Sequence, residues 1–486
     1  MKLFLLSIFI FKSFVFLSQE ENDFNSRLID GEELREDLIH IRRVILQSQP
    51  NPFVYIGKSS WDSSFLSLME YFEEPRTLYD FTFNVSEWLN QLKDSHVGIS
   101  LWDQLSQHDL HSILNFNLTR IENKFYASYF PMNSVPLGNE ILEINSVTVD
   151  TLFKQACVFA LQEGNSFNAK EQYATDQIQV LYNLLYQNKY GIEQKIPVKH
   201  VNYSGDTIFS FVKTINLNNS PDQLRQFLNI QIKEIDYQID VANKLAIIKV
   251  HSFYPQSKKK YFKLIDHFFD TISNLKISKL IIDIRSNTGG YFDCVDHLIN
   301  YLDNSSVSRT TKIVEKRSKY DRFESSNFLL VNFLLKIQKL LNSSQDAKYN
   351  YRFYKLPYGS QDTLINLYTA NEHYLNKKRY LGKCYLAMNG TSMSASVYCA
   401  SLFKRINRGK IIGEPCMGPI TGTCGNPTQF FLKNTRVSVL TSTSRFYVDP
   451  TFMIQTDPIF PDIYIKKKLS NFRNKIDDIH EYVLND

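Results

Sequence analysis

Between residues 30 and 105, apolar side chains recur at intervals of three and four: Leu34, Leu38, Ile41, Val44 and Ile45, then Phe65, Leu66, Met69 and Phe72. That spacing puts each set on one face of a helix. The run closes on Trp88, Leu89 and Leu92 and passes into Lys93-Asp94-Ser95-His96-Val97-Gly98-Ile99-Ser100-Leu101, where the period changes to alternation. His96 is therefore expected at a helix-to-strand junction. From about 106 to 200 the pattern predicts short strands broken by polar turns, with 137–149 reading as a strand, an Asn-Ser turn and a second strand. A third pattern begins near 237. Residues 244–253, 279–290, 383–392 and 410–418 each read as a strand followed by a polar turn. The strands at 279, 383 and 410 lack clean alternation, as expected when both sheet faces are covered. Helical spacing over Tyr261–Leu275, Tyr291–Leu302 and Ser394–Ile406 separates them, which predicts a layered α/β core. Residues 303–380 are rich in Lys and Asn and read as an insertion, inside which 327–341 has the pattern of an apolar helix that packs on the core.

Length and composition add bounds. At 486 residues and 43% hydrophobic, the chain can form two or three cores, and 22% charged residues fit a globular protein. The formal net charge is +5, with Lys and Arg scattered among acids, so nucleic acid is not an expected partner. Lys2 followed by an apolar run to Leu17, interrupted by Lys12, reads as a secretory signal peptide and is short for a membrane span. Its removal leaves about +3 and no stable membrane span. Seven N-x-S/T sequons (Asn84, Asn117, Asn202, Asn218, Asn304, Asn342, Asn389) are compatible with secretion. The six cysteines form no disulfide framework; in an oxidising compartment Cys416 and Cys424 are the nearest candidates for a bridge. No C-x-x-C or H-E-x-x-H occurs, and His108 with His111 lacks a third ligand, so neither metal nor cofactor is expected.

Three segments could carry chemistry. Ser394 lies where a buried strand turns into a helix, so free N–H groups point outward there and that of Ala395 could stabilise an oxyanion. The alternative is that Ser392, Ser394 and Ser396 only cap and pack that helix. Arg285-Ser286-Asn287-Thr288-Gly289-Gly290 also follows a buried strand, and its paired glycines expose backbone donors without forming a dinucleotide or phosphate loop. The third is His96, one of ten histidines.

Together, D-S-H-V-G-I (94–99), I-I-D-I-R-S-N-T-G-G (281–290), N-G-T-S-M-S-A-S (389–396) and I-I-G-E-P-C-M-G (411–418) resemble, in order and spacing, the tail-specific or carboxy-terminal processing serine peptidases. The resemblance runs from about 85 to 465. L-G-N-E-I-L-E-I-N-S-V-T-V resembles the end of a PDZ domain, with Ser146 in place of the usual Gly. It implies a ClpP/crotonase-like α/β core, Ser394 as nucleophile, and an oxyanion hole from Ala395 and the Gly289-Gly290 turn. One branch of the family uses a lysine where this chain has Pro419. The other, similar to the tricorn core protease and the chlamydial protease-like factor, uses a histidine in L-x-D-x-H. Leu92-Lys93-Asp94-Ser95-His96 fits that element, with Ser95 helping to orient His96. The branch's acid falls at Gln455, with Asp457 as the alternative.

The implied organisation is a signal peptide (1–18), a helical region (19–105), a PDZ-like β-domain (106–205), a linker (206–236), the core (237–470, with the 303–380 insertion) and a tail (471–486). The expected function is secreted endopeptidase action on protein or peptide substrates, with the PDZ-like piece capturing substrate tails by strand addition. The alternative, suggested by Gln455 and the apolar helix, is an inactive secreted binder of a hydrophobic ligand, as in the similar interphotoreceptor retinoid-binding proteins. Oligomeric state is not legible.

Overall fold

The computed structural model describes residues 24–107, 112–187, 195–216, 233–303, 309–320, 352–353, 355–368, 379–448 and 453–486. The signal segment, the His108–His111 pair and the apolar stretch 327–341 lie outside them.

The amino-terminal helices form where the periodicity places them: α1 (Gly31–Ser48), α2 (Lys58–Tyr71) and α3 (Leu78–Asn90). Asp30 caps α1 by accepting from the Glu32 N–H, and Thr77 with Asp80 closes a capping box on α3. After α3 the chain turns through Asp94–Val97 into a two-residue strand, β1 (Gly98–Ile99), so His96 does sit between helix and strand. Five antiparallel strands follow: β2 (Asn117–Ile121), β3 (Lys124–Tyr129), β4 (Glu140–Ile144), β5 (Lys195–Val201) and β6 (Thr207–Lys213), in the order β6-β5-β4-β3-β2. Two helices unforeseen in the sequence, α4 (Val149–Phe159) and α5 (Phe167–Tyr182), separate β4 from β5. α5 buries Ala169, Ala174, Thr175, Gln177 and Gln179 and confines its large buried side chains, Ile178, Val180, Leu181 and Tyr182, to its last turn and a half, so it shows little helical periodicity. The segment 206–236 is not wholly linker, because β6 pairs with β5 over its full length.

The mainly parallel sheet runs β7 (Ile235–Asp240), β8 (Leu245–Val250), β9 (Lys279–Asp283), β12 (Lys383–Met388), β13 (Lys410–Gly413) and β18 (Ile463–Tyr464). All neighbours are parallel except β7 with β8. One face is covered by α6 (Lys258–Asn274), α7 (Phe292–Ile299) and α8 (Ala395–Arg405), and the other by the carboxy-terminal helix α9 (Asp478–Asn485) through Ile479 and Val483. Coverage on both faces explains the unbroken apolar runs. Within the supposed insertion, β10 (Arg309–Lys316) and β11 (Gln361–Tyr368) pair with each other and extend to β17 (Ser444–Tyr447) and β14 (Gly422–Gly425). Between β14 and β17 come β15 (Thr428–Phe431) and β16 (Ser438–Thr441), and β16 pairs with β1. Phe430, Leu432, Val437 and Val439 are thereby buried in the same core as α1 and α3. Late chain thus completes the amino-terminal unit, which no contiguous domain boundary captures.

Because β8, β9, β12 and β13 are parallel, the loops after them leave the sheet at one edge. In α/β sheets ligands bind at that carboxyl edge. The Phe253, Gly289-Gly290 and Ser394 segments all lie there. Among the described residues, no helix is long and apolar enough to cross a membrane.

Candidate active site

The three serines of the Ser392–Ser396 run part company in the structure. Ser392 Oγ donates to the Ile284 carbonyl at 2.8 Å and Ser396 Oγ to the Asn287 carbonyl at 2.8 Å, so both tie the turn to the neighbouring loop. Ser394 makes no capping hydrogen bond and is half-buried. Its backbone has φ 55° and ψ −117°, a conformation that suits glycine. A serine held there stores strain of about 1–3 kcal/mol, and strain of this kind clusters at functional turns. Relief of this strain is measurable. Ser394→Gly is expected to raise unfolding free energy by ~1 kcal/mol in chemical denaturation, after glycine's own entropy cost of roughly 0.5–1 kcal/mol. Ser394→Ala, which keeps Cβ, should leave stability unchanged.

The glycine loop lies against this turn. A Cβ on Gly289 (φ +106°) would fall 2.7 Å from Ser394 Cβ, and one on Gly290 (φ +140°) 2.2 Å from the Phe253 carbonyl carbon. Neither position tolerates a side chain. Buried Asn287 organises the loop: its Nδ2 donates to the Val250 carbonyl at 2.9 Å, and its Oδ1 accepts the Gly289 N–H at 2.8 Å. The Gly289 N–H is therefore committed and cannot serve an oxyanion, contrary to the expectation. Among the described residues the N–H groups of Gly290 and Ala395 have no partner, and they remain as the two donors. Arg285 anchors the start of the loop, donating to both oxygens of Asp283 (2.9 and 2.7 Å) and of Asp477 (3.2 and 2.6 Å).

Around His96 the chain builds a buried polar cluster. Asp94 Oδ1 accepts the His96 N–H at 2.8 Å, and Asp94 Oδ2 accepts from Ser442 Oγ at 2.6 Å. Ser95 Oγ lies 3.1 Å from His96 Nδ1 and donates to Glu163 Oε2 at 2.7 Å. Glu163 is fully buried. Its Oε2 also accepts from Thr423 Oγ1 (2.9 Å), and its Oε1 accepts from the Cys424 N–H (3.0 Å) and Tyr55 OH (3.3 Å). Arg445 stands 3.7 Å away and donates to Tyr55 OH at 2.9 Å. Burial and then the Glu163 charge push the Tyr55 phenol well up. Burial followed by the Asp94 charge does the same to the Cys424 thiol. Both groups are therefore neutral hydrogen-bonding partners, and Arg445 is the cation beside Glu163.

The nucleophile turn and the His96 cluster share their supports. Residues 162–169 carry Glu163 at one end. At the other, Ala169 packs with Met393 and Met417, and Asn168 Nδ2 donates to the Pro415 carbonyl at 2.8 Å. Residues 415–424 do likewise: the Met417 N–H donates to the Ser392 carbonyl at 2.9 Å, and Thr423 and Cys424 hold Glu163.

Among the described residues neither Gln455 nor Asp457 is bonded to His96; their segment lies against the Glu163 turn, where the Thr456 carbonyl accepts the Asn165 N–H at 2.7 Å. Gln455 and Asp457 are both exposed. The Gln455 N–H donates to Thr421 Oγ1 at 3.1 Å, and Asp457 Oδ1 accepts from Asn165 Nδ2 at 2.9 Å. The carboxylate joined to His96 through Ser95 is Glu163, from the turn between α4 and α5. Nothing in Gln162-Glu163-Gly164-Asn165 distinguishes it from a surface acid, and the flanking helices were themselves unread. The cysteines are all free, so no Cys416–Cys424 bridge forms. The Asn389 sequon is committed too: its Oδ1 accepts the Ser286 N–H at 2.8 Å and its Nδ2 donates to Ser286 Oγ at 3.2 Å. Among the described residues no cluster of His, Cys, Asp and Glu could hold a metal ion.

Residues 244–465, which carry the glycine loop and Ser394, match the profile of Peptidase family S41. That segment belongs to peptidase family S41. The chain's architecture is similar to mature CPAF, with 14% identity, TM-score 0.58 and coverage of 94% of this chain and 96% of that one. The mature CPAF complexed with lactacystin aligns at 15% identity and TM-score 0.59, covering 94% and 97%. At such identities the likeness concerns the fold. The photosystem II D1 C-terminal processing protease aligns at 12% identity and TM-score 0.42 over 89% of this chain and 93% of its own, too distant to add to the case. No curated protein gives a significant match. The match of residues 244–465 to the Peptidase family S41 profile supports a serine-type peptidase, whose substrates are peptides or proteins, on an α/β fold. His96 and Glu163 both precede the S41 segment.

Proposed function

We propose that the protein is a serine endopeptidase in which Ser394 attacks the peptide carbonyl, His96 takes the hydroxyl proton, and Glu163 holds His96 through Ser95. The observation that carries this reading is the buried hydrogen-bond chain from Glu163 to His96. A carboxylate only accepts, so Ser95 donates to Glu163 and its lone pair receives the His96 Nδ1–H. In the neutral ring that polarity makes Nε2 the nitrogen without a proton, as a general base requires. The carboxylate behind it stabilises the positive ring that forms when the Ser394 proton is taken. The oxyanion meets the N–H groups of Gly290 and Ala395, an acyl-enzyme forms on Ser394, and the protonated His96 gives its proton to the leaving amine. Water, activated by the same imidazole, then releases the acyl group.

The inactive-binder alternative rested on Gln455 and on the apolar stretch 327–341; Glu163 supplies a carboxylate where the first had only an amide, and the second lies outside the described residues. Secretion rests on residues 1–18 and is read by sequencing the amino terminus of protein recovered from culture medium. Tail capture by strand addition is supported by β6, the end strand of its sheet among the described residues, which presents Phe209 and Phe211 exposed. A fluorophosphonate probe tests the central proposal. It should label the wild type and fail to label Ser394→Ala, and labelling that survives the substitution removes Ser394 from the mechanism.

A further inference from the structure

Beside the glycine loop the structure builds an aromatic surface that the proposed chemistry does not use. Past β8 the chain continues through Phe253, which forms a parallel bridge with Gly290. The Phe253 N–H donates to the Gly289 carbonyl at 2.9 Å, and the Tyr291 N–H donates to the Phe253 carbonyl at 2.8 Å. Phe253 is buried, whereas the next residue, Tyr254, is 58% exposed. Its ring stacks on that of Tyr291, with centroids 4.7 Å apart and planes 26° from parallel. Lys258 Nζ lies 3.7 Å from the Tyr291 ring centroid and donates to both oxygens of Asp293, at 2.9 and 2.8 Å. Tyr254 is the exposed member of this ladder.

We propose that Tyr254, backed by Tyr291 and Lys258, is a specificity subsite that takes an aromatic side chain of the substrate close to the scissile bond. This rests on the serine-peptidase reading above. Position is the first argument. The Tyr254 nitrogen lies 2.4 Å from the place a Gly290 Cβ would occupy, and Gly289 touches Ser394 in the same sense. An extended peptide rises about 3.3 Å per residue, so a chain whose carbonyl sits on the Gly290 N–H brings a side chain to Tyr254 within about three residues. Chemistry is the second. An open phenol face whose partner is already fixed favours offset stacking of another ring, and two-χ tyrosines lose little freedom in providing it. A cationic side chain would join a ladder that already holds the Lys258 ammonium. Burial, then the Tyr254 hydroxyl, raises the Tyr291 phenol, so the backing ring stays neutral at any working pH.

The test is cleavage of a peptide library that varies three residues on each side of the scissile bond among Phe, Ala and Lys. Wild type, Tyr254→Ala and Tyr254→Phe are compared, each labelled in parallel with the fluorophosphonate. Wild type should favour Phe at one position. Tyr254→Ala should lose roughly five- to tenfold of that preference in kcat/KM while keeping its rate on the Ala peptide and its labelling, and Tyr254→Phe should retain it. A preference unchanged in Tyr254→Ala, or a wild type that favours Lys or Ala at every position, overturns the subsite alone. Failure of wild type to label or cleave any peptide overturns the peptidase reading and the subsite with it.

Discussion

Ser394→Ala should lower kcat on a labelled unfolded protein such as casein by about five to six orders of magnitude, the scale set by loss of a nucleophile that works as one unit with its base. The neighbouring hydroxyls cannot substitute. Ser392 and Ser396 are committed to the Ile284 and Asn287 carbonyls, so their alanine variants should cost stability, at about 0.5–1.5 kcal/mol for each lost hydrogen bond, with little effect on turnover. The contrast is the informative result: one serine whose removal is silent in denaturation and complete in kinetics, flanked by two that behave the other way round. A Ser394→Ala enzyme that keeps more than a hundredth of wild-type kcat would show that the nucleophile lies elsewhere.

Glu163→Gln should lower kcat by about two to four orders of magnitude, approaching what an acid-to-amide change costs a directly bonded triad. The amide nitrogen would donate toward Ser95, reverse the hydrogen-bond chain and take the Nδ1 proton of His96 out of register. Gln455→Ala and Asp457→Asn should stay within about twofold of wild type, since both residues are exposed and held by other partners. Glu163→Gln also leaves Arg445 buried without its counter-charge, a loss that can reach about 3–5 kcal/mol. Ser95→Ala breaks the same chain without changing charge and is the companion variant: it should lower kcat while circular dichroism stays native-like and stability falls by only about 1.5–3 kcal/mol, the scale of one hydrogen bond to a buried carboxylate. If Gln455→Ala is more damaging than Glu163→Gln, the acid has been misassigned.

The parts legible in the sequence are those whose physics is local. Parallel strands buried on both faces leave continuous apolar runs, so β9, β12 and β13 were found with the helices after them. Ser394 and the Gly289-Gly290 loop were found because a strand-to-helix turn needs particular residues at fixed offsets. Glu163 had no such signature. Its role depends on donors from residues 55, 95, 423 and 424, each brought in by tertiary folding. The Gly289 N–H was misjudged for a similar reason, since its capture by Asn287 depends on a side-chain rotamer that residue types do not specify. α5 is hard to read because its large apolar residues cluster in its last turn and a half while alanines and glutamines fill the rest of its buried face, and β10 with β11 because, among the described residues, only Ile313 and Leu364 mark a core-facing side beside polar neighbours.

The hydrogen bond from Ser442 to Asp94 spans 348 positions of chain, and the one from the Cys424 N–H to Glu163 spans 261. During synthesis the proposed base and its direct partners are therefore made early, and the residues behind them arrive last. A nascent chain that already carries Ser394 still lacks Cys424, Ser442 and Arg445, so Glu163 and Asp94 miss part of their bonding until most of the polypeptide has left the ribosome. On the proposed mechanism the wiring acts as a timer: hydrolysis waits for the late chain to close on the early one, and the same delay makes recovered activity a late reporter of refolding.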